Sequence, residues 1–220
     1  PAPGKQQALF PRRLHRLACG LGASLAVALG TGGTVHAQDL SYLQSLLANT
    51  PAGGWVQANT TPFSSSWATQ AEGGLPPGTY SDTGSVVRAW SAFAWDSNRA
   101  QLYLFGGGHA SYMGNEMYVW SGETGAWSRG SLPSRKIDAG NAVFYVVDDA
   151  APQSAHTYDN QLFLPIADRF ISFGGATFGT GGGWLTRDAN GNAIPAGPWI
   201  WDPSKADPSK VGGTTGSGYL

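Results

Sequence analysis

Leu102-Tyr-Leu-Phe-Gly-Gly-Gly-His109 carries a short apolar run into a glycine turn, and Phe170-Ile-Ser-Phe-Gly-Gly175 does so again 68 positions later. The flanks keep register without a gap: Trp95-Asp-Ser-Asn-Arg-Ala-Gln-Leu102 lies over Phe163-Leu-Pro-Ile-Ala-Asp-Arg-Phe170. A repeat of this length, made of short apolar runs and tight turns, points to stacked units of the blade kind. Composition agrees. With Gly 32, Pro 14 and Trp 9 but only 12% charged residues, the chain has too many aromatics for disorder and too many turn residues for a helical bundle. The expected class is all-β.

Within the first unit, from about residue 86 to 130, four strands are expected: a (89–95), b (102–105), c (116–120) and d (126–129). Asp96-Ser-Asn-Arg99 and Ser121-Gly-Glu-Thr-Gly125 are the turns between them. The second unit, about 156–203, repeats a and b at 157–163 and 170–173. Trp120 and Trp201 are 81 apart, which leaves 13 extra residues (81 − 68) between Gly175 and Trp199. Asp188-Ala-Asn-Gly-Asn192 inside them reads as a hairpin turn, and Val143-Phe-Tyr-Val-Val147 between the units as an extra strand.

The N-terminal region has a different character. Arg12-Arg-Leu-His-Arg16 precedes an apolar run of roughly 13 residues from Leu17, and small residues lead to Val35-His-Ala37. This is the layout of a signal peptide over residues 1–37, and it predicts a periplasmic or extracellular protein. The run falls short of the roughly 20 apolar residues that a membrane span needs, so the mature chain is expected to have none. Cys19, the single cysteine, lies in this leader, which leaves no disulfide or thiolate ligand in the mature part. The leader holds four bases and no acid, and the remainder has nine bases against fourteen acids, about −5. That balance excludes the basic footprint of a nucleic-acid binder. Residues 38–54 are expected to form a short helix with apolar positions 40, 43, 46 and 47, capped by Asp39, and a linker. Trp55-Val-Gln-Ala58 reads as an isolated strand.

Gly106-Gly107 after strand b, Tyr118 on c, Trp127 on d, and Gly174-Gly175 with Trp199 and Trp201 in the second unit resemble a kelch-type β-propeller of the galactose oxidase-like group. The resemblance covers roughly 86–203 and implies six or seven four-stranded blades in the complete protein, about two of them in this incomplete chain. It also implies a functional face built from the b–c and d–a loops around a central channel.

His109 and His156, the two histidines of the mature chain, both map to that face, with Tyr112, Tyr158 and Arg88 beside them. Histidine and tyrosine suit general acid/base work, and arginine suits a carboxylate. These five are the catalytic candidates, and Trp184 (in the insertion) and Arg135 are the substrate-binding ones. The set fits a uronate-containing polysaccharide, through binding or β-elimination. The bland alternative is that His109 caps a turn and His156 bonds loop backbone. Trp90, Trp95, Trp120, Trp127 and Trp201 recur at blade positions and are expected in the core. A metal remains open: two histidines and a tyrosine suit copper or zinc, but the galactose oxidase site needs a cysteine that is absent after Ala37. No cofactor is specified by any motif. The competing reading is a non-catalytic extracytoplasmic scaffold that binds protein partners on its rim; a metal-dependent oxidase is the third.

Overall fold

The computed structural model describes residues 39–72, 83–87, 90–106, 112–141, 143–146, 151–177, 185–194 and 197–211. Among these there are twelve β-strands and one α-helix, so the class is all-β. The leader and its expected role in export lie outside the described residues.

The first sheet is an antiparallel meander in the order β1 (Phe93–Asp96), β2 (Gln101–Phe105), β3 (Met117–Ser121) and β4 (Trp127–Arg129). The central strands β2 and β3 are buried on both faces. One face, with Ala94, Tyr103, Phe105, Met117 and Val119, packs on Phe170 and Trp201 of the second sheet. The other, with Leu104, Tyr118 and Trp127, is covered by Tyr112, Val86, Phe63 and Trp67. Side chains alternate along a strand, so covering both faces of one sheet takes apolar residues at nearly every position, and Met117-Tyr-Val-Trp120 supplies them.

The second sheet has the order β8 (Gln161–Leu164), β9 (Arg169–Ser172) and β12 (Trp199–Trp201), again antiparallel. Its register copies the first. Trp95 faces Leu102 and Leu102 faces Trp120; 68 positions on, Phe163 faces Phe170, and Phe170 faces Trp201. Backbone conformation repeats as well. Positive φ occurs at Trp90 (63°) and Tyr158 (48°), at Ala100 (51°) and Asp168 (54°), and at Gly106 (103°) and Gly174 (83°). Each pair is 68 apart, and four of the six residues are not glycine. L residues enter this region at a cost of about 1–2 kcal/mol each, so the same path is imposed twice by packing, not by residue preference.

Between the two sheets an aromatic cluster forms around Tyr103, whose ring lies 5.2 Å from Trp201, 6.1 Å from Phe163 and 6.2 Å from Phe170. Burial of each such ring contributes about 1.5–3 kcal/mol. The β1–β2 and β8–β9 turns are clamped by charge. Arg99 donates to Asp168 through Nη1 (2.7 Å) and Nη2 (2.6 Å), and through Nη1 to buried Asp96 at 2.9 Å. Asn98 Nδ2 donates to Pro165 O at 2.9 Å and to Asp168 at 3.0 Å.

Arg99 holds the Asp168 carboxyl at about 2, below its ordinary 3.8. A depressed carboxylate pKa stabilises the fold above the unfolded value and loses that contribution as pH falls through the folded one. Asp168 is 36% exposed, so solvent screening leaves about 1 kcal/mol of this. Stability is therefore expected to fall by about 1 kcal/mol between pH 4 and pH 2 through this group, and Asp168→Asn should remove that part of the slope in urea titrations. A wild-type slope retained by the variant would sink the assignment.

The remaining strands form two smaller sheets. β5 (Lys136–Asp138) pairs antiparallel with β6 (Val143–Val146), which pairs in parallel with β11 (Leu185–Arg187). β7 (Ala155–His156) pairs with β10 (Ala176–Thr177). The Asp188–Asn192 turn is present, closed by Asp188 N to Asn192 O at 2.9 Å. α1 (Ser41–Asn49) sits on the β3–β4 turn, with Tyr42 Oη donating to Ala58 O at 2.6 Å. Asp39 accepts from Ser41 N at 3.0 Å.

Two expectations change. Trp55–Ala58 forms no strand and is exposed, Trp55 at 99%. The chain instead meets the meander through Thr60 N to Gly125 O (2.7 Å) and through the Thr61 hydroxyl, which accepts from Trp127 N (2.9 Å). Those bonds occupy the β4 edge with side chains and a single backbone contact, so no ladder extends to 55–58. Trp120 and Trp201 are core as expected, but Trp90 and Trp95 are half-exposed. Trp95 points to the uncovered side of β1, whose burial alternates between exposed and buried.

Candidate functional site

His156, Tyr158 and Trp90 come together at the approaches to β8 and β1. The Trp90 ring is stacked near His156 at 6.1 Å and 26°, and meets Tyr158 edge-on at 5.8 Å. His156 and Tyr158 are also edge-on, at 6.1 Å. Tyr158 N donates to Trp90 O at 2.9 Å, so the two left-handed residues hold one another. Trp90 is 46% and Tyr158 43% exposed, and His156 is half-buried.

Local sequence explains the arrangement. Ala176 pairs with His156, and a Cβ at Gly175 would fall 1.8 Å from His156 O. Only glycine lets β10 come that close to β7. The second glycine pair thus sets the position of the histidine.

Tyr112 lies elsewhere, in the interior. Its phenol and that of Tyr118 both donate to Glu116 Oε1, and Thr83 Oγ1 donates to Tyr112 Oη at 3.4 Å. Burial pushes both phenols well above their ordinary value, and the Glu116 carboxylate adds to the effect. They stay protonated as donors. Glu116 Oε2 has no partner among the described residues. Its neighbour Gly114 leaves the space for it, because a Cβ there would fall 2.3 Å from both Glu116 Oε2 and Tyr112 Oη.

The same segment is bound along its length. Asn115 Nδ2 donates to Ser134 Oγ (2.8 Å) and Pro152 O (2.9 Å), and its Oδ1 accepts from Ser134 N (2.8 Å). Lys136 Nζ donates to Met113 O at 2.7 Å, and Ser154 Oγ to Tyr112 O at 3.0 Å. Residues 112–116, which follow His109 in sequence, are therefore a rigid support. Arg135, between two members of this network, is exposed.

Of the seven candidate residues, His156 and Tyr158 are brought together, Tyr112 is set apart in the core, and Arg135 is on the surface. Arg88, His109 and Trp184 lie outside the described residues. Trp90, expected in the core, joins them instead, and its signal in the sequence is its alignment with Tyr158 in the 68-residue register. Glu116 carried a signal too, since tyrosines bracket it at 112 and 118.

Chemically, an indole, an imidazole and a phenol at one surface offer flat apolar faces with polar edges, suited to stacking and hydrogen bonding on a sugar ring. Among the described residues no group of three or more His, Cys, Asp or Glu is arranged to hold a metal ion, and no helix is long and apolar enough to cross a membrane. In comparisons with known proteins, no family model, no curated protein and no solved structure matches this chain.

Proposed function

We propose that this chain belongs to an exported kelch-like β-propeller, whose repeated units are blades, and that it binds carbohydrate on the face carrying Trp90, His156 and Tyr158. The leader at 1–37 supports export. The in-register meanders with matching left-handed residues support blades. One observation carries the binding reading: two bulky aromatic residues at equivalent repeat positions both adopt left-handed backbone and both expose their rings beside a histidine. Strain in bulky residues persists where the surroundings impose it, and functional sites are where it gathers. A uronate-containing polysaccharide remains the ligand class of choice, since an arginine such as the sequence candidate Arg88 would pair with its carboxylates.

Backbone and ring effects can be separated by glycine. Trp90→Gly removes the ring and relieves the left-handed strain, so stability is expected to stay within about 1 kcal/mol of wild type. Affinity for an oligogalacturonate, measured by calorimetry on the full-length chain, is expected to fall more than tenfold, and likewise for Tyr158→Gly. Wild-type affinity in both variants would overturn the reading. An absorbance increase from unsaturated product would add β-elimination to binding.

The scaffold reading draws on one feature, the apolar side chains left in solvent at Trp55 and Ile166. It requires that both glycine variants keep every partner and that no glycan binds.

A further inference from the structure

A second surface lies away from these residues, on the outer strand of the first meander. A groove of about 400 Å³ runs between β4 and the short 3₁₀ turns Phe63–Ser66 and Gln70–Glu72. Its size falls in the usual range for small-ligand sites, about 300–1,000 Å³. The walls mix Trp67 and Trp127 with Ser65, Thr69, Glu72 and Arg129.

Its polar groups are incompletely satisfied. Arg129 reaches Ser66 O at 3.3 Å through Nη1, and Glu72 Oε1 and Pro208 O at 3.2 Å each through Nη2. All three lie at or beyond the long end of the N–H···O range. Arg129 Nε and Trp67 Nε1 are buried donors with no acceptor among the described residues. Donors left this way are rare in folded proteins and ask for an oxygen. Glu72, 37% exposed, accepts from Thr69 N at 2.7 Å and keeps room for a further donor.

We infer that this groove is a separate site for a neutral oligosaccharide, stacked on Trp67 and Trp127 and hydrogen-bonded by Arg129 and Glu72. A sugar hydroxyl accepts from the guanidinium or indole while it donates to the carboxylate, so one group answers both needs. The indoles supply apolar faces for the ring C–H groups. Charge selects the class. Arg129 is already paired with Glu72, so a carboxylate or phosphate ligand would gain little from the arginine and meet repulsion from the glutamate. This site shares no residue with the Trp90 platform, and the two stand or fall separately.

The test titrates the full-length chain with cellohexaose, mannohexaose and xylohexaose, and with an oligogalacturonate, by calorimetry and tryptophan fluorescence. At least one neutral hexasaccharide is expected to bind and to quench fluorescence. Glu72→Gln, an isosteric change at a partly exposed position, should weaken it about tenfold, and Trp67→Ala should abolish it. Trp90→Gly should leave neutral binding unchanged. Because Trp67 packs on Phe63 (6.0 Å), Trp67→Ala is read only beside Glu72→Gln, which keeps the packing intact. The inference is overturned if none of the three neutral probes binds, if Glu72→Gln binds them as wild type does, or if Trp90→Gly removes that binding. Loss of oligogalacturonate binding alone in Trp90→Gly would bear on the platform and leave the groove standing.

Discussion

Glu116→Ala is expected to destabilise the protein by about 3–5 kcal/mol. The carboxylate is buried and accepts from the Tyr112 and Tyr118 phenols at once. Removing it strands two buried donors, each worth about 1–3 kcal/mol when unsatisfied, and opens a cavity in the face of the meander that Val86 and Leu104 line. Glu116→Gln keeps one acceptor oxygen and the volume, so its cost should be no more than about half as large. Tyr112→Phe takes away one donor together with its need for a partner, and about 1 kcal/mol is expected. Urea unfolding at neutral pH measures all three. The order alanine, glutamine, phenylalanine is the signature of a shared acceptor. A Glu116→Ala cost below about 1 kcal/mol would mean that the phenols find other partners and that the cluster does not hold residues 112–116.

This cluster also marks the limit of what could be read from the sequence. The repeat was legible because strand alternation and glycine turns are local signals: Leu102 and Trp120, which pair in the first sheet, align with Phe170 and Trp201, which pair in the second. The hairpin at Asp188–Asn192 was legible for the same reason. Burial was less so, because it depends on what lies across from a residue. Trp90 and Trp120 look alike in sequence, yet one is half-exposed and the other is buried under β4 and its turn, with Nε1 donating to Gly125 O at 3.1 Å. Nor do Trp90, Ala100 and Tyr158 advertise left-handed backbone, and Asp168, of a type that tolerates it, does so only weakly. Their conformation is imposed from outside, by contacts such as Tyr158 N to Trp90 O and the Arg99 grip on Asp168. Tyr112 was placed near the site by its nearness to His109 in sequence. Its neighbour Gly114, lacking a Cβ, leaves room for the ring to face Glu116 instead.

Gly175→Ala tests how far the glycine pair governs the site. The added Cβ would stand 1.8 Å from His156 O and 2.7 Å from its carbonyl carbon. Both are backbone atoms that no rotamer change can move, so either β10 leaves β7 or the 155–158 segment shifts. A loss of about 3 kcal/mol or more is expected, in the range of overpacked cores and above it. Gly140→Ala is the control. Its φ of 81° carries a left-handed penalty that Gly175 lacks, and nothing lies within 4 Å of the new Cβ, so about 1 kcal/mol is expected. Gly140→Ala thus reports backbone preference without a close approach, and Gly175→Ala a close approach without that preference. Because His156 pairs with Ala176 and carries the Trp90 and Tyr158 contacts, oligogalacturonate affinity should fall with stability in Gly175→Ala and stay at the wild-type value in Gly140→Ala. Equal stabilities for the two variants would show that β7 and β10 are free to separate. The second glycine of the repeat would then be a turn residue only, with no hold on the histidine.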